Sequence, residues 1–136
     1  MNEYFEKINI NPKEWKREGD CVVRALAKAS NKNWITVYDE LCELGRKHYR
    51  MPNSKPIYEE WLKQNNFIKY KQPKKSNGKK FTIKELLDKI EDTPYLKGRT
   101  FVVSTNKHLT CIQCGKIKDT WDCGRKYAGN YWVLDI

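Results

Sequence analysis

The stretch GDCVVRALAKAS, residues 19–30, decides the predicted fold. Its apolar residues recur at the three- and four-residue spacing of one helix face. Asp20, directly before Cys21, belongs to the residue types preferred at a helix N-cap. Small residues at positions 25, 27 and 29 let neighbouring elements approach closely. The stretch therefore predicts a central, closely packed helix whose first turn carries Cys21.

Three further helices are predicted between this helix and Pro94. The second runs from about Trp34 to Tyr49 and ends at the helix-breaking sequence MPNSKP. A short third helix spans Ile57 to Asn65. The fourth begins at Thr82, because Thr82-x-x-Glu85 is a capping box in front of an apolar helical pattern.

After Pro94 the apolar residues alternate and are often β-branched, which is typical of strands. A hairpin with the two-residue turn Cys114-Gly115 is predicted in this half of the chain. The order of elements predicts an α+β fold, in which N-terminal helices pack on a C-terminal antiparallel β-sheet within one domain, 1–136. The predicted strands are 100–105, 108–114, 116–121 and 130–134.

The composition excludes several classes of protein. No apolar run approaches the ~20 residues that span a membrane, and the N-terminus MNEYFEKININ lacks the apolar segment of a signal peptide. The five cysteines are an odd number, which argues against a disulfide framework. We therefore expect an intracellular, cytoplasmic protein whose cysteines serve in packing, metal binding or catalysis.

The basic residues, which give a net charge of +10, are unevenly distributed. Residues 61–84 contain no Asp or Glu, and the part 69–80 (KYKQPKKSNGKK) is predicted to be a flexible basic loop. Such a block attracts an acidic protein or nucleic acid, whereas a solvated lysine loop without a partner is the alternative. The candidate partner-binding residues are Lys69, Lys71, Lys74, Lys75, Lys79 and Lys80.

Cys21 is the candidate nucleophile. A cysteine reacts as the thiolate, and a helix N-terminus lowers the pKa of a thiol because its free N–H groups favour negative charge. The N–H of Cys21 is itself a candidate oxyanion donor. Of the two histidines, His108 begins a predicted strand, whereas His48 ends a basic helix and is interpreted as a surface residue. His108 is therefore the candidate base.

The hairpin register selects an acid that would orient His108. With the turn at 114–115, His108 lies opposite Trp121 and one diagonal step from Asp119, on the same sheet face. Asp119 is the predicted third member of a catalytic triad, and Asp122 is held in reserve because it points to the other face unless the strand bulges. Trp121 either packs in the sheet core or forms a wall of the groove beside His108.

The segments GDCVVRALAKA (19–29) and HLTCIQCGKIKDTWDCG (108–124) resemble papain-like cysteine peptidases. The resemblance is closest to the compact bacteriocin-leader peptidase-like branch and to small cysteine-peptidase-like proteins of phages and low-GC bacteria. It implies a papain-like fold with Cys21 as nucleophile, His108 as general base and acid, and Asp119 as the orienting acid. The implied activity is peptidase- or isopeptidase-like acyl hydrolysis or transfer on a protein or peptide substrate, without a cofactor.

One departure from the papain-like pattern concerns the oxyanion. These enzymes usually carry a Gln a few residues before the nucleophile, and this chain has none there. Arg17 and Asn11 are the candidates for that role. The alternative function is therefore a catalytically inactive papain-like scaffold of the phage-inhibitor type, which binds nucleic acid or protein through its basic face.

A metal site is the other alternative, because His108, Cys111, Cys114 and Cys123 form the pattern H-x2-C-x2-C-x8-C. Four such ligands suit a closed tetrahedral zinc site, and the protein would then be a zinc-stabilised binding domain. Against this reading, a second C-x2-C pair is missing, and zinc does not explain a cysteine at the start of the central helix.

Overall fold

Four helices and six strands follow one another in residues 3–135, the part of the chain that this computed structural model describes. The α+β class predicted from the sequence is confirmed. The elements are β1 (Phe5–Lys7), α1 (Cys21–Ser30), α2 (Trp34–His48), α3 (Lys55–Gln64), β2 (Phe67–Tyr70), α4 (Ile83–Glu91), β3 (Phe101–Thr105), β4 (His108–Gln113), β5 (Lys116–Asp119) and β6 (Tyr131–Leu134).

The six strands form one mixed sheet in the order β1-β5-β4-β3-β6-β2. The prediction of a purely antiparallel, C-terminal sheet was wrong, because β1 pairs in parallel with β5 and β2 comes from the middle of the chain. Both unpredicted strands are edge strands, of three and four residues, and most of their side chains are exposed. Strands this short give too little apolar alternation to be recognised in a sequence.

The parallel strand β1 fixes the end of β5. Lys7 pairs with Asp119, and the Ile8 N–H donates to the Asp119 carbonyl oxygen at 2.8 Å. On its other side, β5 pairs with β4. The backbone of Asp119 is therefore held at a defined position beside a neighbouring strand rather than at a free edge.

Helices cover both faces of the sheet, which gives the domain three layers. The helices α1, α2 and α3 pack on one face, where the buried residues of the strands are Phe67, Val102, Leu109, Cys111 and Trp132. The helix α4 packs on the opposite face, where the buried residues of the strands are Phe101, Val103, Ile112, Ile117 and Val133. The N-terminal helices thus do pack on the sheet as predicted, but the fourth helix lies on the other side.

The basic segment 69–80 begins inside a strand, because Lys69 and Tyr70 are the last residues of β2. The predicted loop therefore starts two residues later than expected. Within it, Lys74 forms an isolated β-bridge with Lys80, which closes a narrow turn. The alternation of β2 was hidden in the sequence because only the first of its four residues is buried.

The hairpin of β4 and β5 has the predicted register, with Gln113 opposite Lys116. Its two turn residues, Cys114 and Gly115, have φ values of 54° and 75°. Positive φ at both positions is what a two-residue type I′ turn requires. This register brings the first residue of β4 and the last residue of β5 to the same end of the hairpin.

Replacing Cys114 by Asn is expected to stabilise the protein by about 0.5–1 kcal/mol, because Asn adopts a positive φ more readily than Cys. Gly115→Ala is the opposite case and should destabilise by about 1 kcal/mol, since Ala disfavours positive φ. Its Cβ would also lie 2.6 Å from Glu91 Oε1, which must then move aside. Urea unfolding followed by circular dichroism measures both variants. A lower midpoint for Cys114→Asn would contradict the turn type assigned here.

Candidate active site

Three elements bring Cys21, His108 and Asp119 together. The helix α1 begins at Cys21, β4 begins at His108, and β5 ends at Asp119. His108 Nε2 lies 2.7 Å from Asp119 Oδ2, and the same ring is close enough to the Cys21 thiol to lower the pKa of that thiol. Since Nε2 faces the carboxylate, Nδ1 is the ring nitrogen that remains for the thiol.

The surroundings of Cys21 favour its thiolate form. Burial alone would raise the pKa of this thiol, but the contact with His108 and a hydrogen bond from the Leu109 backbone lower it. The positive charge of Arg24 acts in the same direction. The net result is a pKa of Cys21 below the ordinary value for cysteine, which is the condition for a nucleophilic thiol.

The pKa of His108 is raised and the pKa of Asp119 is lowered, so both shifts favour the charged forms. Burial alone would lower the pKa of His108, but its hydrogen bonds with Asp119, Cys123 and Cys21 raise it to about 11. Burial would raise the pKa of Asp119, whereas the hydrogen bond and the charge of His108 lower it. The Thr120 N–H donates to the other carboxylate oxygen, Asp119 Oδ1, at 2.7 Å. These shifts all act in favour of a thiolate, an imidazolium and a carboxylate in a row.

The reserve acid, Asp122, faces other groups. Its Oδ2 accepts a hydrogen bond from the Tyr4 hydroxyl at 2.5 Å, and its Oδ1 accepts one from the Gly124 N–H at 2.9 Å. The carboxylate that contacts His108 is that of Asp119, as the register argument predicted.

Asp20 is the N-cap residue of α1, as predicted, but its side chain makes no capping hydrogen bond to the helix. Its Oδ2 instead accepts hydrogen bonds from Trp34 Nε1 at 2.9 Å and from Asn11 Nδ2 at 3.0 Å, and its Oδ1 pairs with Arg24. Only 5% of the Asp20 side chain is exposed. The residue beside the nucleophile is therefore a buried carboxylate that ties α1 to α2 and to the segment before α1.

Arg24 connects this carboxylate with the triad. Its Nη1 contacts Asp20 Oδ1, and its Nη2 lies 3.9 Å from Asp119 Oδ1. Arg24 was not predicted as a site residue, although its four-residue spacing from Asp20 at a helix start indicates an ion pair. One largely buried guanidinium thus lies between the two buried carboxylates next to Cys21.

Replacing Arg24 by Gln is expected to slow the alkylation of Cys21 by iodoacetamide about two- to fivefold at pH 6, because a positive charge near the thiolate is lost. Lys at the same position should restore most of the rate. Arg46→Gln, in the exposed last turn of α2, is the control and should have no effect. Equal rates for the wild type and Arg24→Gln would mean that Arg24 does not act on the thiol.

The two candidates for a side-chain oxyanion donor differ in their surroundings. Asn11 is buried, its Nδ2 donates to Asp20 and its Oδ1 accepts from the Lys13 N–H at 2.9 Å. Arg17 is exposed. The backbone candidate, the N–H of Cys21, lies in the first turn of α1, where N–H groups have no acceptor within the helix.

Trp121 lies against the imidazole of His108, with the ring centroids 4.9 Å apart and the planes at 47°. Its side chain is 42% exposed, so the interpretation of Trp121 as a sheet-core residue was wrong. Trp132 is the tryptophan of the last strand that is buried in the core. Trp121 therefore forms an exposed aromatic wall next to the candidate base.

The six lysines of the basic segment fall into two groups. Lys69 Nζ lies 2.7 Å from Glu59 Oε2, and Lys75 Nζ lies 2.6 Å from Glu85 Oε2, so these two lysines are ion-paired with α3 and α4. The other members of the set are exposed, namely Lys71, Lys74, Lys79 and Lys80. These four lysines are the members of the set that are both exposed and outside the two ion pairs.

The four residues of the predicted zinc set are not assembled. Cys111 is fully buried on the α1 face of the sheet, where burial raises the pKa of its thiol to about 12. Cys114 is exposed in the hairpin turn. Within the described part of the chain, the potential ligands that do lie together are His108, Asp119 and Cys123, whose ligand atoms are all within 4.8 Å of one another.

Comparison with protein-family models, with curated proteins and with solved structures found no match to this chain. Among residues 3–135, no helix combines the length and the apolar character that crossing a membrane requires.

Proposed function

We propose that this protein is a small cysteine hydrolase of papain-like architecture that cleaves or transfers acyl groups through a thioester on Cys21. The observation that carries the proposal is the contact of the His108 ring with both the Cys21 thiol and the Asp119 carboxylate. A nucleophile, a base and an orienting acid in this order are what acyl transfer by a cysteine requires. No cofactor enters the proposed reaction.

The papain-like part of the proposal is supported by the elements that carry the three residues. The nucleophile begins a helix that packs on the sheet, and the base and the acid lie on two neighbouring antiparallel strands. This is the arrangement that the resemblance of 19–29 and 108–124 implies. The mixed sheet and the position of α4 are features of this chain beyond that resemblance.

In the first step, the Cys21 thiolate attacks the carbonyl carbon of an amide or isopeptide bond, and negative charge develops on the carbonyl oxygen. The N–H of Cys21 is a donor for that charge. His108 transfers its proton to the leaving amine, which departs and leaves a thioester. His108 then takes a proton from water, or from an acceptor amine in a transferase, as the oxygen or nitrogen of that molecule attacks the thioester carbon. The C–S bond breaks, Cys21 leaves as the thiolate, and the acid or the new amide is released. Asp119 keeps the ring oriented in both steps.

The same proposal assigns roles to the surrounding residues. Trp121 contacts the substrate chain beside His108, since its exposed ring lies next to the reacting groups. Lys71, Lys74 and their exposed neighbours bind an acidic region of a protein substrate or partner. The protein acts in the cytoplasm of a bacterium or of a phage-infected cell, where reducing conditions keep Cys21 free to react.

Hydrolysis of p-nitrophenyl acetate tests the proposal without knowledge of the natural substrate. We expect release of p-nitrophenolate together with an acetyl group on Cys21, which peptide mass spectrometry locates. Cys21→Ala should reduce the rate by about tenfold or more. Cys42→Ala, which removes a partly buried thiol of α2, is the control and should retain the wild-type rate. An unchanged rate in Cys21→Ala would overturn the proposal.

A second function, binding without turnover, is favoured by the placement of the oxyanion candidates. Asn11 already donates to Asp20, and Arg17 is exposed. Single-stranded RNA and polyglutamate are suitable probes of the basic face. Binding that weakens steeply with salt, that is unchanged by Cys21→Ala, and that is lost when the exposed lysines are replaced by Gln would support this function.

A further inference from the structure

Cys123 is a buried thiol that the proposed hydrolytic chemistry does not use. It follows β5 and is fully buried, together with residues of α4. Its Sγ lies 3.8 Å from Asp119 Oδ2 and within 4.8 Å of a ring nitrogen of His108. The acid and base of the triad therefore share their immediate surroundings with a second sulfur, separate from the nucleophile.

We propose that His108, Asp119 and Cys123 form a zinc site, and that zinc bound there inhibits the enzyme. An imidazole nitrogen, a carboxylate oxygen and a thiolate sulfur are the three ligand types that Zn²⁺ takes from proteins. A site of three protein ligands leaves a fourth position for water. The inhibitory part of the inference rests on the proposed function, whereas the binding part does not.

The distances fit such a site with a small local expansion. Zinc–ligand bonds of about 2.0–2.3 Å place tetrahedral ligand atoms roughly 3.3–3.8 Å apart. The Sγ of Cys123 is already 3.8 Å from Asp119 Oδ2, and all three ligand atoms lie within 4.8 Å of one another. His108 Nε2 and Asp119 Oδ2, now 2.7 Å apart, would have to separate by roughly half an ångström or more.

Binding of the ion changes the protonation of two ligands. Zinc takes the place of the thiol proton of Cys123 and of the Nε2 proton of His108, and both protons are released to solvent. The Asp119 carboxylate then binds the metal instead of the ring. The zinc-bound ring keeps its Nδ1 proton beside the Cys21 thiolate, but Asp119 no longer orients it. With the metal in place of the Nε2 proton, the ring would have to become an imidazolate to pass its Nδ1 proton to a leaving amine, so it no longer acts as the acid and base of the reaction.

The proposed ligand set differs from two others, namely the set that the sequence pattern suggests and a set that includes the nucleophile. The sequence pattern pointed to Cys111 and Cys114, but Cys111 lies on the opposite face of the sheet and Cys114 lies in the exposed turn. A metal held by the nucleophile and the base would use Cys21 instead of Cys123. The Cys21 sulfur is not a member of the ligand group in the described part of the chain.

Zinc titration of four proteins tests the inference: the wild type, Cys123→Ala, Cys21→Ala and Cys114→Ala. A chromogenic chelator in competition gives affinities, and native mass spectrometry gives the stoichiometry. We expect one zinc ion in the wild type, in Cys21→Ala and in Cys114→Ala with similar affinities. Cys123→Ala should bind about tenfold or more weakly. Zinc should also slow hydrolysis of p-nitrophenyl acetate by the wild type but not by Cys123→Ala, and a chelator should restore the rate.

Two results would overturn the inference. One is the absence of stoichiometric zinc binding by the wild type at micromolar zinc. The other is loss of zinc in Cys21→Ala with retention in Cys123→Ala, which would assign the metal to the nucleophile and the base. Cys123→Ser, which keeps the volume of the side chain, is included with far-UV circular dichroism so that unfolding is not mistaken for loss of a ligand. Zinc binding by Cys21→Ala is measured whether or not the protein hydrolyses esters, so the two proposals fail separately.

Discussion

Replacing His108 by Ala is expected to slow the alkylation of Cys21 by iodoacetamide at pH 6 roughly 10- to 100-fold. In the wild type, the contact with His108 lowers the pKa of Cys21 against the opposing effect of burial. Without the imidazole, burial favours the neutral thiol. A thiol with the ordinary pKa of about 8.5 is ionised to less than about 1% at pH 6, so little reactive thiolate remains.

His48→Ala is the matched control, since His48 is exposed at the end of α2 and its removal should leave the rate unchanged. Peptide mass spectrometry after timed labelling separates Cys21 from the other four thiols. If His108→Ala reacts at the wild-type rate at pH 6, His108 does not activate Cys21 and the triad is refuted. Asp119→Asn should give a smaller loss in the same direction, because the negative charge next to the imidazolium is removed.

Replacing Asp20 by Ala is expected to destabilise the protein by about 3–5 kcal/mol. The Asp20 carboxylate is buried and binds Trp34, Asn11 and Arg24. Without this carboxylate, the largely buried guanidinium of Arg24 loses a negatively charged partner. The side-chain N–H groups of Trp34 and Asn11 also lose their acceptor. The large expected effect follows from the removal of one partner of a buried pair, not from the strength of any single hydrogen bond.

Urea unfolding curves measure this effect, with Asp39→Ala on the exposed face of α2 as the control for loss of one acidic residue. The destabilisation by Asp20→Asn should be smaller than that by Asp20→Ala and larger than that by Asp39→Ala, because the amide oxygen still accepts hydrogen bonds but carries no charge. A destabilisation of Asp20→Ala by less than about 1 kcal/mol would show that the buried network around Asp20 is not a significant source of stability.

The parts of the fold that could be predicted are those fixed by local sequence. The small-residue helix of α1, the capping box of α4 and the hairpin register around the Cys114-Gly115 turn all depend on spacings within a few residues. The hairpin register was enough to choose Asp119 over Asp122, because a strand with a known turn has fixed faces. The acid of the candidate site was therefore predictable from the sequence.

The remaining features depend on residues far apart in the chain. The edge strands β1 and β2 are defined by their partners, β5 and β6, rather than by their own patterns. The buried surroundings of Asp20 join Asn11, Trp34 and Arg24, of which only Arg24 lies at a recognisable spacing. Cys123 reaches the triad because the chain after β5 folds back to Asp119, which no spacing in the sequence indicates.

The pH dependence of alkylation of all five thiols in the wild type tests whether Cys21 is an activated nucleophile. We predict that Cys21 reaches half of its maximal rate below the free-thiol value of about 8.5, while buried Cys111 and Cys123 stay protected. The exposed Cys114 is the internal reference for a solvent-accessible thiol. The opposite result is that Cys21 reacts more slowly than Cys114 at pH 6, with an alkylation rate that increases only at or above about pH 8.5. In that case the thiolate–imidazolium pair is absent and the proposed enzyme mechanism is contradicted.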